Sequence, residues 1–357
     1  EGFHPTVLTL WRNKLRQSQR PERIFDAVRD VIAATGVLNG KTRRALDSTL
    51  LDDAVATQDT VTQLVSVIRR SRRQIPVAAG VEVHAHDYET AGKPVCAWDD
   101  PTARGELVTG LVNDALAILA ALDGVELDDE QQRLVGLLAL VAGQDVEAGD
   151  QPGTWRIARK VAKDRVISTV DPETRHAHKS RHHRQDGFKA HLAIEPETGL
   201  ITACDLTPAS GADGVHGVNL LAGEPAGLDV LADSAYGTGP ARAALDAAGH
   251  TAIIKPWPIA RNPGLGDDQF HRDEFHIDYT NRTVTCPNGI TVTIATKGSA
   301  NFGQRCTGCP LRTRCTADRS GRTFNVTAHD QLLAPARQHW RDGEPLAPRN
   351  LAVPEPL

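Results

Sequence analysis

Leu228-Asp-Val-Leu-Ala-Asp233-Ser-Ala-Tyr236-Gly-Thr-Gly-Pro240, continued through Ala248-Gly249-His-Thr251-Ala-Ile-Ile-Lys255, reads as strand, turn, helix and strand. Residues 227–232 are a short apolar run of the kind a strand buried on both faces needs. Pro240 stands where a helix can begin, the alanine-rich run 240–248 continues it, and Gly249 closes it. Residues 251–255 supply the next strand. A strand–helix–strand unit makes its two strands parallel, so the chain reads as α/β. The same unit delivers Asp233 to the carboxyl end of a parallel strand, where open α/β sheets place their ligands. A cap on the turn or helix that follows is the structural alternative for that acid.

Upstream, Phe188, Ala190, Leu192 and Ile194 alternate with Lys189, His191, Ala193 and Glu195, the period of a half-buried strand. Residues 196–199 turn the chain and 200–207 return as its partner, which makes the sheet mixed. Residues 166–170 read as the strand that opens this β-rich part, and 43–51 as an earlier strand carrying Asp47. Asp47-Ser-Thr is equally a capping sequence. Helical periods occupy 6–35 on either side of Pro21, then 57–68, 107–122 and 128–141, while 76–101 reads as loop.

The 357 residues, 40% apolar and 24% charged, suffice for about two or three structural units. No apolar run approaches the roughly 20 residues that span a bilayer, and the first residues lack the pattern of a secretory signal. A soluble cytoplasmic protein is expected. The chain contains no Met, and its last stretch is Pro-rich without helical period, so both ends read as cut. A formal charge of −5 argues against coating nucleic acid by bulk charge; phosphate contact would fall to basic stretches at 69–73, 175–191 and 305–322.

Cys286, Cys306, Cys309 and Cys315 follow the pattern Cys-x19-Cys-x2-Cys-x5-Cys. The x2 pair is similar to a zinc knuckle, and Cys286-Pro-Asn-Gly289 supplies a tight turn, so a structural Zn²⁺ site is expected, with unrelated or redox cysteines as the alternative. Cys96 and Cys204 stand apart and read as ordinary semi-buried thiols.

Taken in order, Arg44-Ala-Leu-Asp47-Ser-Thr-Leu-Leu, Asp171-Pro-Glu-Thr-Arg175 with Lys179, Gly187-Phe-Lys-Ala-His191, Leu231-Ala-Asp233-Ser-Ala-Tyr-Gly237 and the four-cysteine segment resemble bacterial insertion-sequence transposases of the DDE type. The resemblance covers roughly residues 3–343. It implies an RNase H-like mixed sheet in which Asp47 and Asp233 are the first and second acids, holding Mg²⁺ or Mn²⁺ for cutting and joining DNA. Asp171 is the runner-up for the first acid. The implied organisation is a helical remnant at 1–40, a catalytic core at 41–56 and 164–262, and a helical insertion at 57–163. A small four-cysteine, zinc-ribbon-like insertion at 263–325 and a truncated segment at 326–357 complete it.

The family's third acid belongs to a Tyr-x2-Arg-x3-Glu helix, and this chain has no such pattern; Glu344 and Glu355 lie in the Pro-rich tail. Cut-and-join activity is therefore expected to be impaired, with a non-catalytic DNA-binding remnant or a metal-dependent nuclease as alternatives. In the polar stretch before the hairpin, read as a loop, Arg175, Lys179, Arg181 and Arg184, with Lys189 beyond it, are the candidates for gripping DNA phosphates. A solvated loop is the alternative. Tyr236 and Trp257 are candidates for stacking on an unpaired base, against ordinary packing. Two DNA ends imply two protomers, hence a homodimer assembled on DNA.

Overall fold

The computed structural model describes residues 4–343, apart from Ala54, Ala91, Val161, Lys163, Arg181, His182 and Ala260. In chain order come α1 (Pro5–Arg16), α2 (Arg23–Thr35), β1 (Arg43–Asp52), α3 (Thr60–Gln74), α4 (Pro76–Ala79), α5 (Pro101–Ala121) and α6 (Asp129–Gln144). Next are β2 (Val146–Ala148), β3 (Trp155–Ile157), β4 (Arg175–Ser180), β5 (His183–Glu195), β6 (Leu200–Pro208), α7 (Asp213–Asn219), β7 (Asp229–Ala232), α8 (Gly239–Ala247) and β8 (Thr251–Ile254). The last part holds β9 (His276–Asp278), β10 (Thr283–Thr285), β11 (Thr291–Thr293), β12 (Ser299–Asn301), α9 (Arg312–Cys315), β13 (Thr323–Asn325) and α10 (Asp330–Arg341). Among the described residues no helix is long and apolar enough to cross a membrane.

Two compact units divide the chain, the first drawn from Glu1–Ser48, His191–Asp205 and Ala212–Leu357, the second from Thr49–Ala190 and Leu206–Gly211. In the first, β1 pairs in parallel with β7 and β7 with β8; Arg43 stands beside Asp229 and Leu46 beside Ala232. β5 flanks β1 on its other side and pairs with β6. The chain thus combines parallel with antiparallel pairs, β4 running antiparallel to β5 within the second unit, and the class is α/β. Leu46, Val230, Leu245 and Ile254 bury the strand–helix–strand unit, with α8 capped by the Thr238 hydroxyl, which accepts from the Ala241 amide. Each such aliphatic side chain contributes about 1.5–3 kcal/mol.

Helix α7 reaches this core only because of a glycine. A Cβ on Gly217 would lie 2.3 Å from Cε1 of Tyr236. Gly217→Val is expected to destabilise this unit by about 1–3 kcal/mol through overpacking. A urea midpoint equal to that of the wild type would show that α7 moves away without cost.

The second unit is built on α3, α5 and α6, whose Leu64, Ile68, Leu111, Ile118, Leu138 and Val141 are fully buried. Its helices begin where the sequence supplies acceptors: Asp59 caps α3, Asp100 caps α5, and Asp128 forms a capping box with Gln131 on α6. The buried Asp114 carboxylate pins the loop before α5 by accepting from the amides of His84 and Ala85, each at 2.9 Å, and from the Tyr88 hydroxyl at 2.8 Å.

Two expectations fail in this unit. Residues 166–170 form no strand, because side chains of α3, of α6 and of the segment before α3 occupy their backbone groups. Gln144 Oε1 accepts from the Val166 amide, Gln63 Nε2 donates to the Val166 carbonyl, Gln58 Oε1 accepts from the Thr169 amide, and Arg70 donates to the Thr169 carbonyl. The supposed basic loop is instead β4 and the start of β5, with Arg175 opposite Gly187 and His178 opposite Arg184. Hydrogen bonding to the partner strand, not polarity, decides that this stretch is a strand.

Candidate active site

Asp47 and Asp233 follow directly on the last registered pair of β1 and β7, Leu46 beside Ala232. The two acids thus occupy corresponding positions one residue beyond that pair, Asp47 still within β1 and Asp233 just past the end of β7; neighbouring strands of a sheet run about 4.8 Å apart. Both are exposed. The Ser48 amide donates to Oδ1 of Asp47 at 2.7 Å, and the Ala235 amide donates to Oδ1 of Asp233 at 2.8 Å. Each carboxylate is thus oriented by its own backbone, and among the described residues neither Oδ2 is engaged in a hydrogen bond. Asp233 also caps the single 3₁₀ turn Ser234–Tyr236, so the cap and the strand-end acid foreseen as alternatives coexist in one residue.

Two further groups belong to this neighbourhood. Asp213, in the first turn of α7, accepts from the Ser48 hydroxyl at 2.9 Å. The buried Tyr236 hydroxyl lies among the acids: burial pushes its pKa up, neighbouring Ser48 pulls it down, and the charges of Asp213, Asp47 and Asp233 push it up again. It remains a neutral phenol at physiological pH. Neither Asp213 nor Ser48 was foreseen as a site residue. The one signal available was an acid opening a helix shortly before the strand that delivers Asp233.

Asp171 lies in the other unit, in a turn where its carboxylate accepts from the Glu173 amide at 3.1 Å. Glu344, Glu355 and Arg181 lie outside the described residues, and of Lys179 and Arg184 only the backbone is described. Arg175 is paired with Asp164 at 3.2 Å and donates to the Thr174 carbonyl, while Lys189 donates to the Gly211 carbonyl at 2.9 Å. The 69–73 run is likewise tied to carbonyls, Arg69 to Tyr88, Arg70 to Thr169 and Arg72 to Val81. Tyr236 is packed inside, whereas Trp257 is exposed.

The four cysteines gather around one cavity of about 20 Å³, together with Phe270, Phe275 and Phe302. None is disulfide-bonded. The expected zinc-ribbon-like site is nevertheless not supported: among the described residues no three His, Cys, Asp or Glu side chains are arranged to hold a metal ion. The sulfurs serve as small apolar core groups, Cys306 buried with Phe275, Phe302 and Phe324, and Cys286 and Cys315 packed against them. The nearby arginines are structural too, with Arg314 lying 4.3 Å over the Phe270 ring and Arg312 donating to the Cys306 carbonyl.

Burial pushes the Cys315 thiol up; Arg322 opposes this, and Cys306, Cys286 and Cys309 add to the rise. Because the thiolate is the reactive form, Cys315 alkylation by iodoacetamide is expected to lag behind an ordinary thiol near pH 8 and to climb only at higher pH. The rate should be the same with and without a chelator. Labelling of the four cysteines that accelerates on chelation would restore the metal reading.

A family model described as the transposase DDE domain matches residues 144–329, more than half of the 357-residue chain. That stretch contains Asp233 and all four cysteines of the cluster and stops short of Asp47. No curated protein and no solved structure matches the chain. Enzymes of this family act on DNA and typically use a divalent metal. The chain belongs to the DDE-type insertion-sequence transposases.

Proposed function

We propose that this chain is the catalytic region of an insertion-sequence transposase that hydrolyses a phosphodiester at its element's ends and joins the freed 3′ hydroxyl to target DNA. The placement of Asp47 and Asp233, each one residue past the last registered pair of the parallel neighbours β1 and β7, carries this reading. An RNase H-like core is supported by the strand arrangement, with β1 between two parallel strands on one side and the β5–β6 pair on the other.

Two oxygen-donor carboxylates are the ligand set that Mg²⁺ or Mn²⁺ takes alongside waters and substrate phosphate. When bound, such an ion activates an attacking oxygen and stabilises a leaving one. The protein's part is orientation. Oδ1 of each acid is tied to a backbone amide, which fixes the orientation of both exposed carboxylates. The neutral Tyr236 hydroxyl adds no charge beside them. The β4–β5 hairpin, with Arg175, Lys179, Arg181, Arg184 and Lys189, is the proposed grip on DNA phosphates. The proposed working form is a homodimer on two DNA ends in the cytoplasm.

A second reading, a DNA-binding remnant without chemistry, is favoured by one observation. Among the described residues no third acid joins Asp47 and Asp233 in a metal-holding group. Supercoiled plasmid carrying the DNA that flanks the coding sequence separates the readings. Nicked and joined products with Mg²⁺ or Mn²⁺, and none in a chelator, are expected from the transposase. Salt-sensitive binding without cleavage at either metal would support the remnant, and cleavage without joining a simple nuclease.

A further inference from the structure

We infer that Asp213 is a positioning residue for the acid pair and acts through Ser48, an inference that rests on the reading of Asp47 and Asp233 as metal-holding acids. Ser48 is held at both ends: its amide donates to Oδ1 of Asp47 at 2.7 Å and its hydroxyl donates to Oδ1 of Asp213 at 2.9 Å. Successive side chains of a strand point to opposite faces, so the Ser48 hydroxyl faces away from the Asp47 carboxylate, toward the core side that Leu46 shares. The Ser48 peptide thus links Asp213 to the exposed acid.

The anchor is itself fixed. Asp213 opens α7, and α7 is seated by two close approaches: a Cβ on Gly214 would lie 3.0 Å from Cβ of Ala241, and one on Gly217 only 2.3 Å from Tyr236. Where α7 sits thus decides where the Ser48 hydroxyl is held. That decides the direction of the amide which orients Asp47. Groups that orient a ligating carboxylate from behind typically change metal affinity by about 10–100-fold.

The test is a Mn²⁺ titration of the full chain followed by electron paramagnetic resonance. Asp47→Asn and Asp233→Asn should each abolish tight binding, which checks the acid pair. Asp213→Ala and Ser48→Ala should each weaken Mn²⁺ about tenfold, and the double variant no more than either alone, because both break one linkage. Asp213→Asn should bind within about twofold of the wild type, since its amide oxygen still accepts from Ser48. Wild-type affinity in Ser48→Ala overturns the inference, and this variant is informative even where Asp213→Ala fails to fold. An Asp213→Asn as weak as Asp213→Ala overturns it as well, by making the charge and not the hydrogen bond the active feature. Binding that survives Asp47→Asn and Asp233→Asn removes the acid-pair reading, and the inference falls with it.

Discussion

Asp233→Asn is expected to lower metal-dependent strand cleavage by about a thousandfold or more while leaving the fold intact. The two effects separate because Asp233 is a cap in the structure and, in the proposed function, also a metal-holding acid, two jobs of different chemistry. As a cap it accepts one hydrogen bond, from the Ala235 amide, and an asparagine oxygen caps equally well. As a metal-holding acid it supplies negative charge, which asparagine lacks. Charge stabilisation by such an ion is worth several kcal/mol in the transition state, and each 1.36 kcal/mol is about tenfold in rate. The measurement is nicking of flank-bearing plasmid by wild type and variant at matched Mn²⁺, with circular dichroism to verify the fold. A variant that cleaves within about tenfold of the wild type would remove Asp233 from the chemistry.

The largest effect on stability is expected at Glu224. Arg44 is buried on β1, and its guanidinium meets Glu224 in two parallel bonds of 2.7 Å, with further donation to the Arg43 carbonyl at 2.7 Å. Glu224→Ala leaves that cation buried without a counter-charge, at a cost of about 3–5 kcal/mol. The double variant Glu224→Leu with Arg44→Met should recover most of the loss, because apolar residues of similar volume commonly replace a buried pair without penalty. Hydrogen exchange of peptides covering Arg43–Asp52 reads this directly, with protection expected to fall by about a hundredfold or more in the single variant. A change below about tenfold would mean that water reaches Arg44 when its partner is lost. Since Arg44 lies three residues before Asp47, the same variant should also loosen the acid pair.

Where local pattern and burial agreed, the chain was readable in advance. The apolar run ending at Asp233, Pro240 at the start of α8 and Gly249 after it specify β7–α8–β8 because each rule acts within a few residues. Residues 166–170 misled because a β-branched run only proposes a strand, whereas the glutamines and arginine that take up its backbone groups come from positions as far away as Gln58. The cysteines are a related case: spacing records which sulfurs can meet, and it brings all four to one cavity, whereas the packing of Cys306, Cys286 and Cys315 against phenylalanines is set by the tertiary fold. Asp213 carried no motif at all, and its role emerges only from α7 seated against Tyr236.

From composition and period alone came the α/β class, the strand–helix–strand order around Asp233 and the place of that acid at a strand end, because these depend on short-range preferences and on the alternation of buried and exposed positions. Register between β1 and β7 put Leu46 beside Ala232 and so brought the residues that follow them, Asp47 and Asp233, to corresponding positions, since segments 186 positions apart meet only when hydrogen bonds align two strands. The same alignment of remote segments set the partners of Arg44, Ser48 and Cys306, for a side chain's chemistry is decided by whatever the folded chain brings against it.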